Sequence, residues 1–478
     1  MKRFVESQDR TQGILLPDRL DDFVSENNPG RVVDVFVDQL DLAALGFAGV
    51  VPEVTGRPSY HPALLLKIYV YGYLNRIQSS RRLEVEAQRN LELIWLTSGV
   101  KPDFKTIARF RANNGKAIRA VCRQFIDLCR QLDLFSQAIV AIDGSKFKAV
   151  NSRDKNFTAG KMAHSMRRIE ESIERYLASL DAADRDEPVA AKSKSVRVNE
   201  KIAELKEKMK RLKDLETKMN AAPDKQISLT DPDARAMVLS GGRNGIVGYN
   251  VQTAVDTRHH LIVAHKVTNV GNDRTQLSSM AKLAREAIDA QKITVIADRG
   301  YYKGEEILSC HEAGITALVP KSLTSNNKAD GLFDKEDFKY VPSKDEYRCP
   351  AGQQLIKRFT SVEQGKTLTT YWSSNCQQCH LKSQCTPSTQ RRIKRWEHEA
   401  VLDTMQARLL STPDAMRIRK QTVEHPFGTL KAWMGATHFQ TRTLNRVSTE
   451  MSLHVLAYNI KRVMKIVGIG PLMQAIKA

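Results

Sequence analysis

Acidic residues are in short supply: 54 Asp and Glu stand against 74 Lys and Arg, leaving a formal net charge of +20. An excess of that size favours a polyanionic partner, of which DNA and RNA are the commonest. Long apolar runs are missing too. The greasiest stretch, HPALLLKIYVYGYL, is too short to span a bilayer and carries Lys67. The opening MKRFVESQDR is charged with no apolar segment behind it, which reads against a secretory signal, so a cytoplasmic chain with no membrane partner is expected. The lysine-containing P-loop pattern is also lacking. GGRNG at Gly241–Gly245 could offer backbone N–H groups to a phosphate, but a flexible turn accounts for it better.

Cysteine is scarce, odd in number at seven, and unevenly placed. Cys122 and Cys129 share a helix face with Phe125 and Leu132 and read as core; Cys310 stands alone. Cys349, Cys376, Cys379 and Cys385 form C-x26-C-x2-C-x5-C, with Pro350 and His380 nearby. A tight C-x2-C pair with two further thiols suits a tetrahedral structural zinc; reduced packing cysteines are the alternative. In an intracellular chain zinc is favoured over disulfides.

What is present begins as helix. Val33, Phe36, Val37 and Leu40 recur at helical spacing, and Pro62 suits a first turn leading through the apolar run to Leu74. SSRRLEVEAQRNLELIWL reads as one helix with Leu83, Ala87, Leu91 and Ile94 on a stripe, stopping at Ser98-Gly99. A turn through Pro102-Asp103 precedes a helix bearing Lys105, Arg109 and Arg111, and another runs from Lys116 to about Leu134. This is either a helix-turn-helix DNA reader or a plain bundle with a basic face.

At Gln137 the texture changes. AIVAID reads as a buried strand ending at Asp143, GIVGYNVQTAVD and HLIVAHKVT as antiparallel strands joined at Thr257–His259, and KITVIAD as a strand ending in Asp298. TQLSSMAKLAREAIDA is helix-like, and a short helix from Lys303 leads to strand TALVP, which completes an α/β pattern. Two interruptions break it. Ile169, Ile173, Tyr176 and Leu180 form one apolar stripe, and Ile202, Leu205, Met209, Leu212, Leu215 and Met219 another, separated by a polar stretch from about Ala182 to Ser195: an inserted helical hairpin. Its Lys206, Lys210 and Lys213 either meet DNA phosphates or are a solvated face. A second, polar interruption holds the clustered cysteines, and from Trp396 the chain reads as helical again.

Asp143 in AIVAIDGSK and Asp298 in KITVIADRGYY both close apolar strands and are followed by glycine within two residues. Acids at neighbouring strand ends line a shared crevice, where two or three carboxylates suffice for Mg²⁺; turn chemistry is the plainer account of either one alone. Tyr301 and Tyr302 beside Asp298 are either base-stacking or core residues. Asp256 and Asp273 are adequately explained by turns. His259, His260 and His265 read as sheet surface with no partner ligands.

RIRKQTVEHPFGTLKAW adds Glu424 in a basic segment, with Lys431 seven residues on. AIDGSK, GYNVQTAVD, VIADRGYY and RKQTVEHPFGTLK, in that order, resemble the DDE transposases of bacterial insertion sequences, nearest the branch whose type element is numbered eleven-eighty-two. The resemblance covers nearly the whole chain. It implies an RNase H-like α/β catalytic domain over 137–470, interrupted by a helical hairpin at 160–222 and a cysteine-rich insertion at 322–391, behind a helical DNA-binding domain at 1–135. It implies Asp143, Asp298 and Glu424 as the catalytic, metal-binding triad for two Mg²⁺ ions, with Mn²⁺ as substitute. In the family signature Y-x2-R-x3-E-x6-K, Arg417 stands here where the pattern has Tyr and Lys420 where it has Arg, while Lys431 is in register. Arg417, Lys420 and Lys431 are thus expected at DNA, with charge kept at Lys420 but no bidentate clamp.

The implied reaction has two in-line displacements: water attacks the phosphodiester at the transposon end, and the freed 3′ hydroxyl attacks target DNA. The implied partners are double-stranded DNA, both terminal inverted repeats and target, and a second copy of the chain in a homodimer. The implied setting is the nucleoid of a prokaryote. The rival readings are a transposase-derived DNA-binding protein without catalysis, and a zinc-ribbon scaffold whose acids are structural.

Overall fold

The computed structural model describes residues 19–478 except 53, 55–57, 136–137, 153–154, 184–187, 223, 239–244 and 323–326, and the side chains of 182–195. Four residues of the glycine motif, Gly241 to Asn244, lie outside the described set. Six helices form the front: α1 (Pro29–Asp38), α2 (Pro62–Leu74), α3 (Ser80–Arg89), α4 (Leu91–Leu96), α5 (Phe104–Asn113) and α6 (Gly115–Gln131). Local chemistry sets several ends. Asn28 and Asp103 cap α1 and α5 through side-chain oxygens, and Pro29 and Pro62 occupy first turns. The single helix expected over 79–96 is broken at Asn90. Its extended backbone ends α3, and its Oδ1 accepts from Leu93 N to start α4. The break turns Leu91 out to solvent and brings Leu93 and Leu96 inward.

Thereafter come β1 (Ile139–Lys148), β2 (Asn156–Thr158), α7 (Ala159–Ala183), α8 (Pro188–Ala221), β3 (Gln226–Ser228), β4 (Arg235–Val238), β5 (Gly245–Asp256), β6 (Ile262–Thr268), α9 (Leu277–Ile288), β7 (Thr294–Ile296), α10 (Gly304–Glu312) and β8 (Thr316–Leu318). Strands β9 (Lys339–Val341), β10 (Glu346–Arg348), β11 (Gln354–Glu363), β12 (Lys366–Trp372) and β13 (Ile393–Trp396) follow. The chain closes with α11 (Glu399–Leu410), α12 (Ala415–Gly428), α13 (Leu444–Val467) and α14 (Ile469–Lys477). Among the described residues no helix is long and apolar enough to cross a membrane.

The main sheet runs β4-β5-β1-β7-β8, with β6 on the same edge of β5 as β4. β1, β5 and β6 are antiparallel neighbours; β7 and β8 add parallel to β1. Alternation splits the sheet into two faces. Val140, Ile142 and Ala254 pack with α9, α10 and α11 on one face. Ile139 and Phe147 point to the other, where they meet α12 and the chain beyond it. On that second side Val251, Val255 and Ile262 join α13 and the front helices in one continuous core. β1 does not stop at Asp143 as expected: it continues to Lys148, all of it paired to β5, and Asp143 sits mid-strand opposite Thr253.

Two long helices lie between β2 and β3. α7 and α8 pack through Met162, Ile169, Leu212 and Met219, with Phe157 from β2 beneath them. α8 begins at Pro188, earlier than the polar stretch suggested. The cysteine-bearing segment, read only as a polar interruption, holds a five-stranded antiparallel sheet of order β13-β12-β11-β10-β9 around Phe338, Tyr347, Leu355, Tyr371 and Ile393.

Candidate active site

Parity carries Asp143 onto the α12 side of the sheet, together with Ala141 and Ser145. Asp298 lies two residues past β7, the parallel neighbour of β1, so the two carboxylates open onto one crevice. Asp298 caps a short 3-10 turn at Arg299–Tyr301, its Oδ1 accepting from Gly300 N at 2.8 Å. Arg419, from α12, reaches across both: Nη2 is 2.6 Å from Asp143 Oδ1 and 3.2 Å from Asp298 Oδ2. Burial is the main reason the Asp143 carboxyl is pushed up to about 6. The charges of Asp298 and Asp273 add to this, while Arg419 and the Gly144 N–H oppose it.

The glycine after Asp143 leaves room for three polar side-chain ends. A Cβ at Gly144 would stand 2.6 Å from Asp273 Oδ1 and collide with the Gln252 amide. Asp273 Oδ1 there accepts from Asn250 Nδ2 (2.8 Å) and Gln252 Nε2 (2.6 Å), and the Tyr301 hydroxyl donates to Gln252 Oε1. Asp273 is therefore a buttress behind β1, beyond the turn role expected of it. Tyr301 is fully buried, so it is core and not a base-stacking group; Tyr302 is half-buried.

Helix α12 lays its Ala415, Thr422, Val423 and Pro426 face on the sheet. Pro426 lacks the N–H that would continue the α pattern, and the helix runs into a π turn at Thr429–Trp433. There Lys431 enters the site: Nζ donates to Ser145 Oγ at 2.6 Å and Lys146 O at 3.1 Å, and lies 4.6 Å from the Phe147 ring centroid. Burial holds its ammonium below the usual lysine value, with Asp143 opposing.

The other expected residues are placed differently. Glu424 is exposed on α12, 4.0 Å from Lys420, and does not touch the Asp143–Asp298 pair. Lys420 is outward as well, and Arg417 pairs with Asp414 on the exposed side. The guanidinium at the carboxylates is that of Arg419, which sequence reasoning passed over. In the front, Lys105 and Arg109 are exposed on α5, whereas Arg111 turns inward: Nη1 donates to Tyr73 Oη at 3.1 Å and the guanidinium lies 5.3 Å from the Tyr69 ring. His265 is not sheet surface; Nε2 is 2.8 Å from Ser452 Oγ of α13, and burial pushes it down to about 4.

Among the described residues no group of three or more His, Cys, Asp or Glu side chains stands ready-made to hold a metal ion. The Asp143–Asp298 pair nonetheless suits a hard divalent cation. It already shares one cationic group, and two carboxylates on an open crevice are what Mg²⁺ takes alongside phosphate oxygens.

An acid pair on neighbouring parallel strands, faced by a basic helix, is an arrangement for phosphate chemistry. Comparison with known proteins names the class. Residues 18–113 match a family described as "Transposase domain (DUF772)", and residues 224–460 match "Transposase DDE domain"; together they take in more than half of the chain. The chain belongs to the DDE transposases, metal-dependent enzymes that cut and transfer DNA strands. The second match contains Asp298, Arg419, Glu424 and Lys431; Asp143 on β1 lies before it. No curated protein matches. One solved structure, a cryo-EM piggyBac transposase synaptic complex with hairpin DNA, is similar at 8% identity and TM-score 0.30 over 94% of this chain and 79% of that one, a likeness too slight to bear on either fold or mechanism.

Proposed function

We propose that the chain cleaves and joins DNA phosphodiesters at the ends of an insertion sequence of the eleven-eighty-two type, by two-metal-ion chemistry on an RNase H-like core. The observation that carries this is the single guanidinium of Arg419 shared by Asp143 and Asp298. Two carboxylates from adjacent strands, drawn to one cation, are the elements of a divalent site. Divalent ions bound there, Mg²⁺ or Mn²⁺, supply charge neutralisation at phosphorus. Asp143 and Asp298 would hold them; Glu424, exposed beside Lys420 in this structure, would join as third ligand only once α12 turns it towards the crevice. Support for Glu424 comes from its position on α12 between Arg419 and Lys431, about two helical turns before a lysine that touches the Asp143 strand. Arg419 and Lys431 neutralise the scissile phosphate and orient it for in-line attack. Lys105 and Arg109 on the exposed side of α5 bind flanking duplex, and a homodimer pairs the two ends in a nucleoid-associated complex.

The test uses a supercoiled plasmid carrying the gene with its native flanks, purified protein, and Mg²⁺ or Mn²⁺. Breaks at the element's ends are expected, and Glu424→Gln should abolish them while DNA binding persists. End-specific breaks that survive in Glu424→Gln would remove Glu424 from the site. Tight binding with no breaks in either protein would leave a DNA-binding protein without catalysis in use.

A further inference from the structure

The five-stranded sheet has two unlike faces. Among the described residues its four cysteines, Cys349, Cys376, Cys379 and Cys385, form no group ready to hold the zinc expected from their spacing. One face carries Tyr347, Leu355, Tyr371 and Ile393 into the core. Register puts Ile356, Phe359, Thr370, Trp372 and Lys394 on the other. Leu368 and Trp396 seat one end of that second face against Ile307 of α10 and Leu402 of α11. The far end is open: Ile356 and Phe359 are 45% and 46% exposed. Trp372 stands at its centre. The guanidinia of Arg358, at the β11 bulge, and of Arg392, just before β13, each lie 5.2 Å from its ring centroid. The Phe359 ring meets it edge-on at 5.9 Å. Arg358 is held there by Trp372 O (3.3 Å) and Ser374 Oγ (2.8 Å).

Both arginines are exposed, and neither pairs with a carboxylate among the described residues. The acids of this face are already committed: Glu363 pairs with Lys394 at 2.6 Å, and Glu346 is buried. From Lys339 to Trp396 the chain has eleven Lys and Arg against three Asp and Glu. Contacts to phosphate alone would need the cations but not an exposed isoleucine and phenylalanine beside them. Negative charge and flat apolar rings come together in an unpaired nucleic acid strand. We infer that the open end of this face binds a single DNA strand, with Arg358 and Arg392 on phosphates and Phe359 against a base. Its place suits a strand leaving the Asp143–Asp298 crevice. Gly304, just past the Asp298 turn, packs on the Trp396 ring, where a Cβ would stand 3.0 Å away. Arg392 lies four residues back along β13, about 13 Å. The inference rests on the reading of the chain as an enzyme that opens DNA, and needs no part of the proposed metal chemistry.

The full-length chain tests this by fluorescence anisotropy with a short labelled oligo-dT and, beside it, a duplex of equal length. Phe359→Ala should weaken oligo-dT binding by about 10-fold and duplex binding hardly at all, because only the open strand offers a base to stack. Arg358→Gln/Arg392→Gln should shallow the log–log salt dependence of oligo-dT binding by about 1.4, the share of two phosphates on a single strand. Should a variant misfold, photocrosslinking of the unaltered chain to an iodouracil-substituted strand should place adducts on Phe359 or Trp372. Unchanged oligo-dT affinity, equal losses on strand and duplex, or adducts only elsewhere would each overturn the inference. So would a Phe359→Ala chain that turns from dimer to monomer on gel filtration, which would make the face a contact between copies. End cleavage that stays absent while the variants lose oligo-dT would count against the proposed reaction and keep this surface. Intact end cleavage with oligo-dT binding untouched in the variants would remove the surface alone.

Discussion

At the scale of single residues, Arg419 bridges the two carboxylates of the crevice, and its helix phase explains why. The segment RIRKQ offers Arg417, Arg419 and Lys420 in close succession. Only position 419 falls on the face defined by Ala415, Thr422, Val423 and Pro426, four residues after the first and three before the second. Counting from those apolar positions would have found it in the sequence; matching a spacing signature pointed to Lys420. Arg419→Gln should slow end cleavage by about 100-fold, the usual effect of removing one group that stabilises developing charge. Arg417→Ala should leave cleavage almost unchanged. Equal losses in a timed plasmid assay would mean that α12 presents a different face to DNA.

Asp143, His265 and His454 have the largest resolved shifts among the groups that titrate in acid. Asp143, raised from 3.8 to about 6, binds its proton more tightly when folded, so its contribution is full below pH 4 and is lost as pH rises through 6. His265 and His454 run the other way. Burial lowers them from 6.5 to about 4 and about 3, so their contribution is present above pH 6.5 and lost as pH falls. His260 and His425 are lowered by burial as well, so four histidines pull against Asp143. Thermal unfolding in chelator should therefore show a midpoint that drops between pH 6.5 and 4, and His454→Leu should flatten the slope. A midpoint that rises on acidification would show Asp143 outweighing the histidines.

At the scale of elements, the front helices, the strand run from Ile139 and the helical pair α7–α8 could be read because α1, α3 and α6 carry an apolar stripe, α7 and α8 share one, and α2 and β5 are near-continuous apolar runs. The five-stranded cysteine sheet could not. β11 exposes Ile356, Phe359 and Val362 as well as Lys357 and Arg358, so no alternation marks it. The break at Asn90 was hidden by an apolar stripe that fitted an unbroken helix; the cap settles it. Asn90→Ala should cost about 1 kcal/mol by freeing the Leu93 N–H, seen as a lower unfolding midpoint. Gly144→Ala should cost more, about 1–3 kcal/mol, because the Gln252 and Asp273 side chains must shift and disturb their hydrogen bonds. If Gly144→Ala is as stable as wild type, the buttress is softer than its contacts imply.

At the scale of the whole molecule, α13 lies between the front helices and the sheet. Cys122 Sγ donates to Ser452 O, Arg119 Nη1 to Thr449 Oγ1, and Asn459 exchanges hydrogen bonds with Ile262 of β6. Tyr73 of α2 meets the His454 ring edge-on at 4.6 Å between centroids. The boundary expected near residue 135 is thus a change of secondary structure within one core. A fragment comprising residues 137–478 should be insoluble or aggregate on gel filtration, since it bares the apolar side of α13. A monodisperse, cooperatively unfolding fragment would show that the sheet stands alone. Electrostatics acts at the same scale: with a net charge of +20, DNA affinity should fall steeply and log-linearly with salt, and neutralising Lys105 or Arg109 should each shallow the slope by about one.

The placement of α13 also governs when a newly made chain can act. Synthesis runs from the first residue to the last, so the front helices emerge hundreds of residues before the helix that covers them. Gln78 waits for Met434, and Arg119 for Thr449. Contacts of such separation form slowly and leave apolar surface uncovered meanwhile. A ribosome that stalls or stops before residue 444 releases a chain holding both aspartates but no closed core. Such a truncated chain is expected to aggregate or be degraded and to show no strand cleavage in the plasmid assay.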